Sequence, residues 1–178
     1  MDSLIPLNWH EEFITRIAQL CRPKVYMELG LYKCDLFNKI IPYAEKLIGV
    51  DLSPEAGHFM QDSPKVTFIN APSNDFAEQL KSCPIQIDLL FIDANHTKAS
   101  VLDDFHNYFL FVAPHGLILL HDTYPTPDQV TPEYCDTAYQ AIWELTTEYH
   151  DYEMVTIPVP PGLTICRKRQ TQLSWQAP

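Results

Sequence analysis

What most constrains this chain is an alternation. Short apolar runs at Val25 to Leu29, Lys46 to Val50, Val66 to Ile69, Ile87 to Ile92 and Leu117 to Leu120 are separated by stretches with apolar residues at helical spacing. Runs so short and so continuous read as strands buried on both faces. The intervening helical stretches hold Leu36, Phe37, Ile40 and Ile41, then a segment opened by Ser53-Pro54, then Phe76 to Leu80, then Val101, Leu102, Phe105, Phe109 and Val112. Strand-helix-strand order demands crossovers between parallel strands, and crossovers on both faces give a doubly wound α/β sheet. A first helix over about 8–21 opens with Asn8 and Glu11 in capping-box spacing and stops before Pro23. Beyond Leu120 come a Pro-rich loop (Pro125, Pro127, Pro132), a helix carrying Ala138, Ile142, Trp143 and Leu145, and two strands around Pro160-Pro161-Gly162 that read as an antiparallel pair. The expectation is a single domain over 1–178: a mostly parallel seven-stranded sheet closed by that pair, with a loose tail over about 170–178.

Charge and cysteine content narrow the partners. Lys and Arg number 12 against 23 Asp and Glu, a formal charge of −11, and the longest basic run is Arg167-Lys168-Arg169. Such a surface repels phosphate backbones, so nucleic acid is not an expected partner. The apolar runs fall far short of the roughly 20 residues of a membrane helix, and no basic-then-apolar leader opens the chain, so a soluble cytoplasmic protein is expected. The 5 cysteines are odd in number and scattered without a Cys-x-x-Cys pair, which suits reduced thiols acting as small buried hydrophobes.

In an open doubly wound sheet, ligands bind beyond the carboxyl ends of the strands. Those ends are polar: Glu28-Leu29-Gly30-Leu31-Tyr32, Asp51-Leu52, Asn70-Ala71-Pro72-Ser73-Asn74, Asp93-Ala94-Asn95-His96 and His121-Asp122-Thr123. A glycine after the first strand permits close approach of a ligand, and an acid ~20 positions on suits the two hydroxyls of a ribose. Gly30 and Asp51 stand in that relation. A dinucleotide fingerprint is absent, because its second and third glycines would fall on Tyr32 and Asp35. There is no P-loop either. Acidic groups where a pyrophosphate site needs glycine amides point to a cofactor that carries positive charge and a ribose.

These strand ends resemble class I S-adenosylmethionine-dependent methyltransferases of the catechol and macrocin O-methyltransferase type, over roughly Lys24 to Thr123. Val25-Tyr26-Met27-Glu28-Leu29-Gly30-Leu31-Tyr32 resembles the first motif and Ile48-Gly49-Val50-Asp51 the ribose-binding strand end. Val66 to Ile69 with Ala71 to Asp75 is similar to the adenine-side strand and loop, while Leu89 to His96 and Leu119 to Thr123 are similar to the catalytic strand ends. The resemblance implies a Rossmann-like methyltransferase fold with S-adenosylmethionine as cofactor. Glu28 would face the methionine amino group or hold the loop, and Gly30 and Tyr32 would flank the methionine portion. Asp51, with Leu52 beside it, would take the ribose, and Ser73 and Asn74 would border the adenine. Ser73 also reads as a helix N-cap.

The resemblance further implies Asp93 as a cofactor-side and catalytic residue, His96 as general base, and Asp93 with Asp122 as ligands of Mg²⁺ or another divalent metal. An imidazole with a pKa near 6.5 accepts a proton at neutral pH, and a bound cation would lower the pKa of an acceptor hydroxyl. The third ligand expected of the family, Asn after the second Asp or Glu before it, is replaced by Thr123 and His121. His121 reads as a support that orients a carboxylate; the other histidines show no informative spacing. With only 24 residues ahead of the first strand, the first helix, the Pro125 to Pro132 loop or a second copy in a homodimer must cover the site. The acceptor expected is a hydroxylated small molecule such as a phenol or sugar. The rival reading is a catalytically silent cofactor-binding or scaffold domain; a hydrolase is a weaker one, since Gly-x-Ser-x-Gly is absent.

Overall fold

The computed structural model describes residues 8–147 and 151–169, and the expected loose tail lies outside them. In chain order the elements are α1 (Trp9–Cys21), β1 (Val25–Leu29), α2 (Asp35–Ile40), β2 (Lys46–Asp51), α3 (Ala56–Phe59), β3 (Val66–Asn70) and α4 (Ser73–Ser82). Then follow β4 (Ile87–Ile92), α5 (Lys98–Phe109), β5 (Val112–His121), a 3₁₀ turn (Pro127–Gln129), α6 (Ala138–Leu145), β6 (Tyr152–Ile157) and β7 (Leu163–Lys168). The strands form one seven-stranded sheet in the order β3-β2-β1-β4-β5-β7-β6. Pairing is parallel from β3 through β5, and β7 runs antiparallel to both β5 and β6. This is the expected Rossmann-like methyltransferase fold with its closing antiparallel pair. No described helix is long and apolar enough to cross a membrane.

Alternating strand residues divide the core in two. Met27, Leu29, Ile48, Val50, Leu90 and Ile92 point to one face, where α4, α5 and α6 supply Phe76, Leu80, Phe105, Tyr108 and Ile142. Tyr26, Leu47, Leu89 and Phe91 point to the other, against Ile14 and Ala18 of α1 and Phe37 and Ile40 of α2. Chain order reverses between β1 and β4, so the crevice of the fold opens at their carboxyl ends. There Gly30 adopts φ +84°, and an added Cβ would lie 2.2 Å from the Asp93 carbonyl oxygen and 2.6 Å from Ala94 Cα. Only a residue without a side chain lets the two strand ends meet.

Several local expectations are corrected. The Asn8 side chain makes no cap; only its carbonyl accepts the Glu11 N–H, at 3.1 Å. Glu11 instead pairs with Lys39 of α2 at 2.9 Å, so its charge ties two helices together. Pro72, not Ser73, is the N-cap position of α4, because the Ser73 backbone is already helical. Val112 opens β5 rather than closing α5, and the strand bulges opposite Ile87 to Leu89, where Pro114, His115 and Gly116 interrupt its pattern. All 5 cysteines are free, but Cys21 and Cys83 are exposed and only the other three are buried. Cys21 is the last residue of α1 and Cys83 the one that follows α4, so both stand at helix ends.

The Pro160-Pro161-Gly162 turn before β7 braces the same edge of the sheet. Its Pro160 carbonyl accepts the Trp9 indole N–H at 3.1 Å, and its Pro161 carbonyl accepts the Tyr124 N–H at 2.8 Å. Gly162 has φ +98° and packs so closely that a Cβ would sit 2.1 Å from the Tyr124 nitrogen.

Candidate active site

Three recesses meet at Gly30. The largest, about 830 Å³, is lined by Asp51, Ser53 and Glu55 on one side and by Asp93, His96, His121, Asp122 and Tyr134 on the other. A second, about 320 Å³, lies over Asp51, Leu52, Ala71, Ser73 and Asn95. The third, about 120 Å³, is walled by Glu28, Tyr32, Lys33, Asp35 and Asp93. Together they have the volume of a small-molecule site and a strongly acidic lining.

Asp51 builds the first loop as well as facing the crevice. Its Oδ2 accepts the N–H groups of Leu31 at 2.7 Å and Tyr32 at 3.2 Å, and its Oδ1 accepts that of Ser53 at 2.7 Å. One carboxylate thus joins the turns after β1 and β2. Tyr32, at the second glycine position of the first motif, and Cys34, just before the third, both take the left-handed backbone a glycine would allow, at φ 48° and 58°, and Asp35 at the third opens α2. Cys34 donates its thiol to the Ala56 carbonyl. Glu28 is buried and accepts the Tyr26 hydroxyl at 2.5 Å; burial pushes its pKa well above the usual carboxylate range. Asn74 does not line the recesses: its side chain accepts from Asn107 at 2.9 Å.

The other side carries two carboxylates and three imidazoles. His121 Nδ1 lies 3.1 Å from Asp93 Oδ1 and 3.2 Å from Asp122 Oδ1. His96 reaches the same pair, with Nε2 3.5 Å from Asp93 Oδ1 and Nδ1 3.3 Å from Asp122 Oδ2. The Tyr134 carbonyl accepts from His96 Nδ1, which leaves Nε2 as the nitrogen facing Asp93. Asp122 adopts φ 57°. From α1, His10 lies against His121 with ring centroids 4.0 Å apart and the rings tilted by 45°, and places Nδ1 3.2 Å from His121 Nε2.

Electrostatics follow from this packing. Burial alone would raise Asp93, but His121 and then His96 hold its carboxyl well below the usual range. The hydrogen bond to Asp93 raises His96 to about 9 against the opposing effect of burial. Burial would lower His121, and the Asp93 and Asp122 carboxylates outweigh it and raise its pKa. Asp122 is raised by burial, and His10 is lowered to about 4 by burial and by the charge of His121.

Sequence reasoning brought Gly30, Asp51, Asp93, His96, His121 and Asp122 to one crevice, and on the side of Asp93 and Asp122 it missed His10, Glu133 and Tyr134. His10 carried a signal, since it precedes Ile14 and Ile17 by four and seven positions on the apolar stripe of α1. Glu133 and Tyr134, in the loop after β5, carried none.

The family described as "Methyltransferase domain" matches residues 28–123, and the chain belongs to that family. No curated protein matches it in sequence. Among solved structures it is similar to the O-methyltransferase from Bacillus cereus in complex with SAH, at TM-score 0.76 and 13% identity, covering 90% of this chain and 80% of that one. It is also similar to the O-methyltransferase TomG from Streptomyces achromogenes in complex with SAM (TM-score 0.73, 15% identity, 96% and 84% covered). The N-methyltransferase NodS from Bradyrhizobium japonicum superposes with TM-score 0.68 at 15% identity, over 96% of this chain and 100% of that one.

Proposed function

We propose that the protein is an S-adenosylmethionine-dependent methyltransferase that methylates an oxygen of a hydroxylated small molecule. The observation that carries this reading is the meeting of three recesses at Gly30, with Asp51 on one side and the Asp93, His96 and Asp122 cluster on the other. The residues fit the cofactor: Asp51 and Leu52 suit the ribose, and Ser73 walls the purine side. Tyr32, Glu28 and the acidic small recess suit a cationic amino-acid end. SAM- and SAH-bound neighbours of the same fold support it.

Once neutral, above its pKa of about 9, His96 would take the acceptor's proton on Nε2, and Asp93 would hold the resulting imidazolium in place. His121 keeps the Asp93 and Asp122 carboxylates oriented. His10 from the first helix, with Glu133 and Tyr134 from the Pro-rich loop, walls the acceptor side and limits water there. Donor atoms of Asp93, His96 and Asp122 lie within 4.8 Å of one another, which fits a divalent cation held by Asp93 and Asp122. The set is mixed, with an imidazole where Mg²⁺ favours oxygen. A bound cation would supply Lewis acidity to the acceptor hydroxyl and offset the carboxylate charge acting on His96.

Calorimetric titration of SAM and SAH, with and without Mg²⁺ or Mn²⁺, tests the reading. One-site binding by the wild type is expected, and Asp51→Ala should weaken it by roughly 10- to 100-fold, since charge-assisted hydrogen bonds are lost on both the ligand and the loop. Equal affinities would remove the ribose assignment, and no binding by folded protein would remove the cofactor. Saturable binding without transfer to any hydroxylated acceptor would favour the silent-domain alternative.

A further inference from the structure

The three recesses that meet at Gly30 are lined by carboxylates on every side and, among the described residues, by a single lysine and no arginine. Lys33 is that lysine, and it lines both the largest recess and the smallest. The imidazoles nearby are already engaged: His96 and His121 bear on Asp93 and Asp122, and His10 faces His121. Lys33 is exposed, and among the described residues no carboxylate pairs with it. Its ammonium lies instead over the Tyr32 ring, 5.2 Å from the centroid.

The backbone of the loop points the same way. The Gly30 N–H donates to the Val50 carbonyl at 2.9 Å, and those of Leu31 and Tyr32 donate to Asp51 Oδ2 at 2.7 and 3.2 Å. The Cys34 N–H donates to the Leu31 carbonyl at 2.7 Å. From Gly30 to Cys34, only Lys33 keeps an N–H without an acceptor among the described residues. The turn that presents it is bounded by Tyr32 and Cys34 at φ 48° and 58°, a costly backbone for residues with a side chain, and one that persists only where its surroundings enforce it. Here Asp51 holds one flank, and the Cys34 thiol holds the other by donating to the Ala56 carbonyl at 3.3 Å. Lys33 thus offers a main-chain donor and a charged side-chain donor from a fixed turn, and a carboxylate accepts several donors at once.

The amino-acid end of an S-adenosyl nucleoside is a zwitterion. Its ammonium suits the small recess, walled by Glu11, Glu28, Asp35 and Asp93, whereas its carboxylate meets like charge there unless a cation stands beside it. We propose that Lys33 receives the carboxylate of the cofactor's amino-acid end, so that the site selects an intact amino acid over the bare amine. The proposal rests on the methyltransferase reading and adds to it the residue that recognises the anionic half of that zwitterion.

The test is calorimetric titration of SAH and of decarboxylated SAH, which keeps the nucleoside, the thioether and the amine, into wild type, Lys33→Met and Lys33→Arg at neutral pH. Wild type should prefer SAH. Lys33→Met keeps most of the stem without the charge; it should bind SAH roughly three- to tenfold more weakly and decarboxylated SAH within about twofold of wild type, which removes most of the preference. Lys33→Arg restores a cation and should retain the preference. Because the side chain is exposed, both variants should melt within about 2 °C of wild type. A role in shaping the loop alone would weaken both ligands equally in Lys33→Met, and that result would overturn the inference. Wild-type affinity for SAH in Lys33→Met, or equal binding of the two ligands by wild type, would overturn it as well and leave the methyltransferase reading in place. Failure of wild type to bind either ligand would overturn that reading and this inference with it.

Discussion

Replacing His96 with asparagine is expected to slow methyl transfer by roughly 10²- to 10⁴-fold, the usual contribution of a positioned general base. SAH affinity should stay within about twofold, because His96 belongs to the acceptor side and α5 begins two residues later under its own Thr97 cap, which accepts from Ser100. Asparagine preserves a donor for the Tyr134 carbonyl and removes only the nitrogen that faces Asp93. The measurement is SAH production with the vicinal-hydroxyl acceptor that wild type turns over fastest, alongside an SAH titration. Undiminished turnover would move the proton to another group, and a matching loss of SAH affinity would mean that the imidazole is part of the cofactor wall.

Gly30→Ala should damage both the fold and the site. A left-handed alanine costs about 1–2 kcal/mol for its backbone alone. Its Cβ would also lie 2.2 Å from the Asp93 carbonyl oxygen, and no rotamer relieves a clash with backbone. The ends of β1 and β4 would have to part, breaking the 2.9 Å bond from the Asp93 N–H to the Leu29 carbonyl. A loss of about 3 kcal/mol or more in urea unfolding is expected, with SAH binding abolished. Gly49→Ala is the control: its Cβ meets the ends of the Leu31 and Met60 side chains, which can move. Equal stabilities of the two variants would show that the crossing of β1 and β4 tolerates a side chain after all.

The strand ends were legible because a buried parallel strand leaves a continuous apolar run, and its first polar residue marks the crevice. Gly30, Asp51 and Asp93 were therefore placed before any coordinates. β5 was truncated in the reading because Pro114, His115 and Gly116 break its pattern, and a bulge lets a strand carry residues that propensity forbids. Asn8 and Glu11 matched a capping box, but tertiary charge won: Glu11 found Lys39 of another helix. The place of His10 was legible but its partner was not. It is a polar residue in a stripe of apolar ones, and periodicity marks the stripe while giving no hint of the partner across it. Tyr32 at the second motif glycine and Cys34 just before the third take left-handed turns, so the loop bends there on residues costlier than glycine.

The Pro160-Pro161-Gly162 turn bears on the order in which the site assembles. By holding both Trp9 and Tyr124, it ties the first helix and the loop after β5 to a point just before the last strand. A growing chain would complete the nucleoside recess when the end of β4 emerges, whereas the acceptor wall must wait for residues 160–162. The half that binds what every such reaction shares is thus local and early, and the half that would choose the acceptor is closed last, by contacts between distant parts of the chain.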